Sequence, residues 1–170
     1  PILYALPETP PYTWDGAWAE LDDMEYKIRA LQGGTGLIDS VFPPLVNDLH
    51  NPLSESDLDL LTAYLTTLTP PRTNTAADRA ALERGAEVFA AQNCASCHVG
   101  IVGTDLRGYD VGTGGTFDTP SLRWLAMSEP YFHDGSAAHV KQVFELPGRH
   151  QLVFTVPPQD IEALTAYLLT

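Results

Sequence analysis

The sequence predicts an all-α protein of 170 residues. Apolar residues recur at helical spacing in several segments, helix-end signals bound those segments, and no segment shows a convincing strand pattern. Hydrophobic residues make up 44% of the chain, which is ample for a packed core. A weak internal repeat indicates how the helices are divided into domains. A C-x-x-C-H run at residues 94–98 indicates that the protein carries a bound group.

Two helices are predicted in the first part of the chain. One covers residues 20–30 and ends at Gly33-Gly34, a typical C-cap signal. The next begins with the capping pattern Ser54-x-x-Asp57, runs to about Leu68 and is stopped by Pro70-Pro71.

The remaining helices are predicted around the C-x-x-C-H run. A capping box at residues 75–78 begins a helix that leads to the motif. Residues 99–119 are rich in Gly, Thr and Asp and are predicted to be loop. Short helices are expected around 122–127 and 137–146, and Pro157 is expected to open the last helix.

Two blocks of sequence occur twice, in the same order. Pro11–Gly16 matches Pro130–Gly135, and Asp57–Leu65 matches Asp160–Leu168. Internal similarity of this kind indicates two related units. Only the second copy is preceded by the C-x-x-C-H run.

The repeat predicts the domain organisation. Residues 1–70 are expected to form a partial domain without a C-x-x-C-H run, residues 71–74 a linker, and residues 75–170 the domain that carries the run. The corresponding run of the first copy is expected upstream of Pro1, in the same precursor.

The run Cys94-Ala95-Ser96-Cys97-His98 is the attachment signature of c-type haem. Two thiols three positions apart can each add to a haem vinyl group, and the following imidazole can bind the iron from one side. A disulfide or a thioredoxin-like redox pair would leave His98 incidental. A zinc site would need two more ligands, and the chain has no other cysteine. The sequence therefore predicts one covalent haem c, with His98 as the proximal ligand.

Composition indicates what kind of partner the protein binds, and the motif indicates the cellular compartment in which it functions. The formal net charge of −13 argues against nucleic acid and anionic membranes and favours a basic or neutral redox partner. No apolar run is long enough to span a bilayer. Because haem is attached to C-x-x-C-H outside the cytoplasm, we expect a periplasmic or extracellular protein whose signal peptide is absent from this chain.

Together with the C-x-x-C-H run, four segments resemble the bacterial di-haem cytochrome c peroxidase family and its MauG-like relatives. These are Thr119–Arg123, Pro130–Ser136, the terminal helix Pro158–Leu168 and, in the first half, Trp14–Gly16. The resemblance implies a class-I-like cytochrome c domain preceded by part of a second one. It also implies that the haem on His98 is the electron-transferring one.

The distal iron ligand departs from the family pattern. The family usually places a methionine fourteen residues after the histidine of the Tyr-Phe-His-Asp-Gly block, and Pro147 occupies that position here. His150 and His133 are the main candidates to replace it, with Met127 a weaker one. If His150 is the ligand, we interpret His133 as a nearby hydrogen-bond donor.

Other groups are expected around the haem. Arg123 is a candidate partner for a haem propionate, while Trp124 and Phe132 are expected to pack against the porphyrin. No residue is predicted to be catalytic. Asp105 and Asp110 suggest a calcium site, which proteins of this family often contain between their domains.

Three functions remain open at this stage. The first is electron transfer by a six-coordinate, low-spin haem. The second is enzymatic, with the chain forming part of a di-haem peroxidase or oxidase that supplies electrons to an upstream haem. The third and weakest is binding or sensing of a small ligand at an open iron site.

Overall fold

A computed structural model describes residues 6–21, 23–34, 37, 57–69, 78–150 and 152–170. The chain divides into two compact units, one of residues 3–69 and the other of residues 1–2 and 70–170. The predicted helix start at Ser54, the capping residue Thr75 and the linker at 71–74 lie outside the described residues. Within the described part, no helix is long and apolar enough to cross a membrane.

The described part of the N-terminal unit contains a 3-10 turn and two helices. The turn is Leu6–Glu8, α1 is Asp23–Tyr26 and continues as a π-helical turn over Lys27–Leu31, and α2 is Asp57–Thr67. Gly33, which follows the π-helical turn, has φ +70°, a conformation that glycine adopts without steric cost. The end predicted for the first helix is therefore confirmed.

A buried carboxylate lies in α1. Glu25 is 1% exposed and pairs with Arg29 one turn later. Its Oε1 and Oε2 also accept hydrogen bonds from the Leu37 backbone N–H at 3.0 and 2.8 Å. A buried charge is tolerated where it is paired and hydrogen-bonded in this way.

Over residues 78–150 and 152–170, the C-terminal unit contains three helices, two 3-10 turns and a small sheet. Asp78 caps α3, its side chain accepting from the Ala80 N–H at 3.4 Å. The elements follow in the order α3 Arg79–Ala91, 3-10 turn Cys94–Ser96, β1 Gly108–Tyr109, β2 Phe117–Asp118, 3-10 turn Leu125–Met127, α4 Val140–Glu145 and α5 Pro158–Leu168.

The sheet corrects the prediction that the protein is all-α and that residues 99–119 are loop. Strands β1 and β2 pair antiparallel, Gly108 with Asp118 and Tyr109 with Phe117. Two-residue strands are too short to show an alternating sequence pattern, so periodicity could not reveal them. The fold is mostly helical with this one small sheet among the described residues.

Helices α3 and α5 pack directly against each other. A Cβ on Gly85 would lie 2.3 Å from the Ala163 carbonyl oxygen and 2.4 Å from the Tyr167 Cβ, so only glycine allows this approach. Phe89 packs against Tyr167 with ring centroids 5.7 Å apart, and Leu164 beside them is fully buried. Because α3 ends at the C-x-x-C-H run, this packing fixes where the motif begins.

A second core lies beneath α4. Tyr131, Ala137 and Val140 are buried together. The Tyr131 hydroxyl donates to the Leu125 carbonyl at 2.7 Å. Burial, and secondarily the negative Glu129, raises the pKa of Tyr131 to about 12.

The repeated Pro-Tyr blocks form the same turn in both units. Tyr12 and Trp18 exchange backbone hydrogen bonds of 2.6 and 3.3 Å, and Tyr131 and Ala137 exchange bonds of 2.7 and 3.4 Å. The glycines at the matching positions, Gly16 and Gly135, have φ +65° and +66°. We call these segments the first turn (residues 10–18) and the second turn (residues 129–137).

Candidate haem site

The C-x-x-C-H run forms one tight turn after α3. Asn93 has φ +55°, which ends the helix, and Cys94 then begins a 3-10 turn. The His98 N–H donates to the Cys94 carbonyl at 3.0 Å, so the two cysteines and the histidine lie on one turn. No disulfide joins Cys94 and Cys97, and burial raises the pKa of Cys94.

The His98 ring is oriented by the loop that follows it. Its Nδ1 lies 2.9 Å from the Gly103 carbonyl oxygen, and since a carbonyl can only accept, Nδ1 carries the proton. The lone pair is therefore on Nε2, which is the arrangement of a metal-binding histidine. Burial lowers the pKa of His98, which favours the neutral, ligating form.

The loop around His98 is held by buried hydroxyls. The Thr104 hydroxyl donates to the Thr119 carbonyl at 2.6 Å, and the Ser121 hydroxyl donates to the Val102 carbonyl at 2.5 Å. These bonds connect the segment after the motif to the segment that the sequence linked to the peroxidase family.

His150 lies half-buried opposite His98. The ring centroids of the two imidazoles are 6.2 Å apart, with an angle of 37° between the planes. Phe144 contacts the His150 ring edge-on at 6.0 Å. Burial, and secondarily the nearby His98, lowers the pKa of His150.

The separation of these two rings matches what one metal between two imidazoles requires. A metal–nitrogen bond of about 2 Å on each side, with each ring centre about 1 Å behind its nitrogen, places the centroids about 6 Å apart. The His150 Nδ1 is also buried without a hydrogen-bond partner. Leaving a buried polar atom unpaired costs free energy, so this atom is consistent with a bound group beside the ring. The residues present therefore fit a haem iron.

Two glycines fix the position of His150. The His150 N–H donates to the Val111 carbonyl at 2.9 Å. A Cβ on the next residue, Gly112, would lie 1.9 Å from the Gly148 carbonyl oxygen. The segment that carries His150 thus rests on the backbone at 111–112, and a side chain at Gly112 would displace it.

Arg149 joins the same segment to the second turn. Its Nη1 donates to Asp134 Oδ2 at 2.7 Å and to the Ser136 hydroxyl. Hydrogen bonding from Ser136, and secondarily from Arg149, holds the pKa of Asp134 well below its usual range. Arg149, Gly112 and Gly148 were not predicted from the sequence. Only the position of Arg149 beside a candidate ligand could have drawn attention to it.

The other distal candidates lie in different surroundings. His133 stacks on Phe117 with centroids 3.9 Å apart and nearly parallel planes, and its Nδ1 is buried without a hydrogen-bond partner. Met127 is in a 3-10 turn and 42% exposed.

The predicted haem-contacting residues interact mainly with their own neighbours. The Arg123 guanidinium lies over the Trp124 ring at 4.4 Å, and Arg149 lies 5.8 Å from the Phe132 ring. Phe132 also packs against the buried cluster of Tyr131, Ala137 and Val140.

The acidic loop suggested for calcium is hydrogen-bonded within itself. Asp105 accepts from the Tyr109 hydroxyl at 2.6 Å, which lowers the pKa of Asp105, and Asp110 accepts from the Gly112 N–H at 2.8 Å. Among the described residues, no three His, Cys, Asp or Glu side chains cluster as a metal site. Desolvation, and secondarily Asp105, raises the pKa of Asp118 to about 6.

A helix-packed domain with a C-x-x-C-H turn and a half-buried imidazole facing its histidine defines a c-type haem domain. The family model for cytochrome c matches residues 82–170. The chain therefore belongs to the cytochrome c family, and this domain is one that binds haem c.

Comparisons with known proteins agree with the predicted family. The chain is 39% identical over 54 residues to cytochrome c551 peroxidase of Nitrosomonas europaea, a match that covers 32% of this chain and 16% of the relative. Hydrazine synthase of Kuenenia stuttgartiensis aligns with 98% of this chain and 69% of its own at a TM-score of 0.72 and 19% identity. A MauG-like protein associated with microbial copper homeostasis aligns with 99% of this chain and 71% of its own at a TM-score of 0.66 and 17% identity. The resemblance to di-haem peroxidases and MauG-like proteins is confirmed.

Proposed function

We propose that this chain is an electron-transfer cytochrome with a single covalent haem, ligated by His98 and His150. The 6.2 Å separation of the two imidazole rings carries the proposal. Bound haem supplies a one-electron iron couple. With an imidazole on each side, the chain leaves no iron position open to substrate, which favours electron transfer over catalysis.

Each residue of the site has a distinct role in this proposal. Cys94 and Cys97 anchor the group covalently, so it stays bound in both oxidation states. His98 is the proximal ligand, with its tautomer set by Gly103. His150 is preferred to His133 and Met127 because its ring lies 6.2 Å from the ring of His98, tilted by 37°, whereas His133 stacks on Phe117.

The distal ligand is tested by separate alanine substitutions in the haem-loaded protein. We expect the ferric parent protein to be low-spin and to react slowly with cyanide. His150→Ala is expected to become high-spin, while His133→Ala stays low-spin. His139→Ala is the control, because the His139 side chain is 70% exposed and pairs with Glu129. A low-spin spectrum in His150→Ala would reject the assignment.

A second candidate function is favoured by the relative named as a peroxidase. In this alternative the chain is part of a di-haem peroxidase or oxidase and passes electrons to another haem that reacts with peroxide. The two functions differ in the isolated chain. Rapid peroxide turnover with a five-coordinate, high-spin spectrum would favour the enzyme over the electron carrier.

The wider setting of the proposal rests on the repeat and on charge. The shared turn geometry supports residues 1–70 being a partial, haem-less copy of the cytochrome domain. The net charge of −13 supports a basic or neutral redox partner. Covalent haem attachment supports a periplasmic or extracellular location. A calcium ion bound near Asp105 and Asp110 stays a prediction, which calcium titration followed by calorimetry would test.

A further inference from the structure

Helices α2 and α5 are copies of the same sequence. Aligning Asp57 with Asp160 gives identical residues at six of nine positions, namely Asp, Leu, Thr, Ala, Tyr and Leu. Both helices bury the residue after the first aspartate: Leu58 is 2% exposed and Ile161 is 6% exposed. The two copies therefore turn the same face toward their own unit.

In α5 the adjacent face is the binding site for α3. Arg84 donates from Nε and Nη2 to the two carboxylate oxygens of Asp160, at 2.8 and 2.7 Å. Gly85 lets the helices approach closely, and Phe89 packs on Tyr167. Three groups of α3 thus recognise this face: a cation, a glycine one residue later and an aromatic ring four residues after that.

In α2 the equivalent face is exposed. The counterparts of Ala163, Leu164 and Tyr167 are Leu60, Leu61 and Tyr64, which are 54%, 39% and 60% exposed. Asp57, the counterpart of Asp160, is exposed as well. Three large apolar side chains and a carboxylate on one helix face are typical of a binding surface. We call these four residues the α2 face.

We propose that the α2 face binds a helix with the chemistry of α3: an arginine, a small residue directly after it and an aromatic residue four positions further on. This inference rests on the proposed repeat. The arginine pairs with Asp57, and the small residue allows close approach beside Leu60 and Tyr64. The chain's own α3, which lies in the C-terminal unit, cannot serve, because α5 already covers that face of it.

Charge favours such a helix over a second copy of α2. The α2 sequence, Asp57–Thr67, contains no basic residue. Two α2 faces packed together would therefore bury apolar surface without supplying a cation for either Asp57. An α3-like helix supplies both the cation and the small residue.

The experiment fuses an extra copy of residues 78–93 to the N-terminus of the haem-loaded chain. A Gly/Ser linker of about 20 residues, with a mean reach of about 25 Å, lets the added helix search the surface of the molecule. Hydrogen exchange of the α2 amides is the readout. We expect their exchange to slow at least tenfold relative to the unfused chain, while the α5 amides are unchanged.

Two matched variants test the mode of binding. Gly85→Leu placed only in the added copy should abolish the protection, because a bulky side chain prevents close approach. Leu61→Asp in α2 should abolish it as well. Unprotected α2 amides in the fusion would overturn the proposal. A dimer of the unfused chain that Leu61→Asp dissociates, measured by sedimentation, would overturn it in favour of a second copy.

The same samples separate this inference from the proposed function. The low-spin haem spectrum depends on His98 and His150, and none of these variants alters either residue. A fusion that fails to protect α2 but keeps a low-spin spectrum rejects the α2 face alone. A high-spin parent protein with protected α2 amides rejects the distal assignment alone.

Discussion

The first turn, residues 10–18, and the second turn, residues 129–137, share a backbone but differ in their contacts. Asp15 accepts from the Thr13 hydroxyl at 2.5 Å, whereas Asp134 accepts from Arg149 at 2.7 Å and so ties down the segment that carries His150. At the next matching pair, Trp14 is 50% exposed while His133 stacks on Phe117. One local structure thus appears in two settings, and only the second builds a site.

The helices show the same contrast on a larger scale. In α5, Leu164 is fully buried, whereas in α2 the matching Leu61 is 39% exposed. Because the sequences around these leucines are nearly the same, the difference comes from what packs against each helix. Sequence similarity between the copies therefore predicts shape but not burial.

The largest expected effect tests this contrast in burial. Leu164→Ala should lower the free energy of unfolding by about 2–5 kcal/mol, because it removes a fully buried side chain and leaves a cavity. The matched Leu61→Ala should cost less than about 1 kcal/mol, since its side chain is already partly solvated. Guanidinium unfolding followed by far-UV circular dichroism measures both. Equal costs would show that another group covers the α2 face.

The next prediction tests how the segment that carries His150, which the second turn also holds through Asp134, is positioned. Gly112→Ala should displace Gly148 and His150, cost about 1–3 kcal/mol and convert part of the ferric haem to high spin. Gly114→Ala is the matched control. Both glycines have positive φ, at +78° and +91°, but a Cβ on Gly114 meets nothing within 4 Å. If the two variants have the same spectrum, the contact between Gly112 and Gly148 does not position the ligand.

The smallest expected effect is a change in Tm, and it distinguishes two carboxylates, one in each unit. Glu25 is paired and hydrogen-bonded, whereas Asp118 Oδ1 is buried without a hydrogen-bond partner. The pKa of Asp118 is raised to about 6, so its contribution to stability is fully present below about pH 4 and is lost as the pH rises through 6.

Asp118→Asn should therefore raise Tm by about 2 °C at pH 7.5 and change it little at pH 4. Glu25→Gln should act in the opposite direction at pH 7.5, because it weakens the pairing with Arg29. Thermal unfolding at the two pH values measures both. A stabilising effect of Asp118→Asn that is the same at pH 4 and pH 7.5 would contradict the titration of Asp118.

Much of the fold could be predicted because its signals are local. The capping box at residues 75–78 predicted a helix before the motif, although Asp78 rather than Thr75 is the N-cap of α3. Gly33 predicted the end of the π-helical turn after α1 through its turn preference. The last helix begins one residue later than predicted, with Pro157 as the N-cap and Pro158 in the first turn. The strands at 108–109 and 117–118 were missed, because their pairing depends on contacts that a two-residue pattern cannot encode.

The sequence alone determined the features contained within one motif: the C-x-x-C-H turn, its anchoring thiols and the imidazole of His98. These residues are adjacent in the chain, so their geometry follows from one turn of backbone. Sequence could narrow the facing imidazole to His133 or His150 but could not choose between them. The tertiary structure placed His150 opposite His98. The segment that carries His150 packs on Gly112 and pairs with Asp134, and both of these residues are far from His98 in the sequence. Contacts between separate segments decide such pairings, and no local pattern records them.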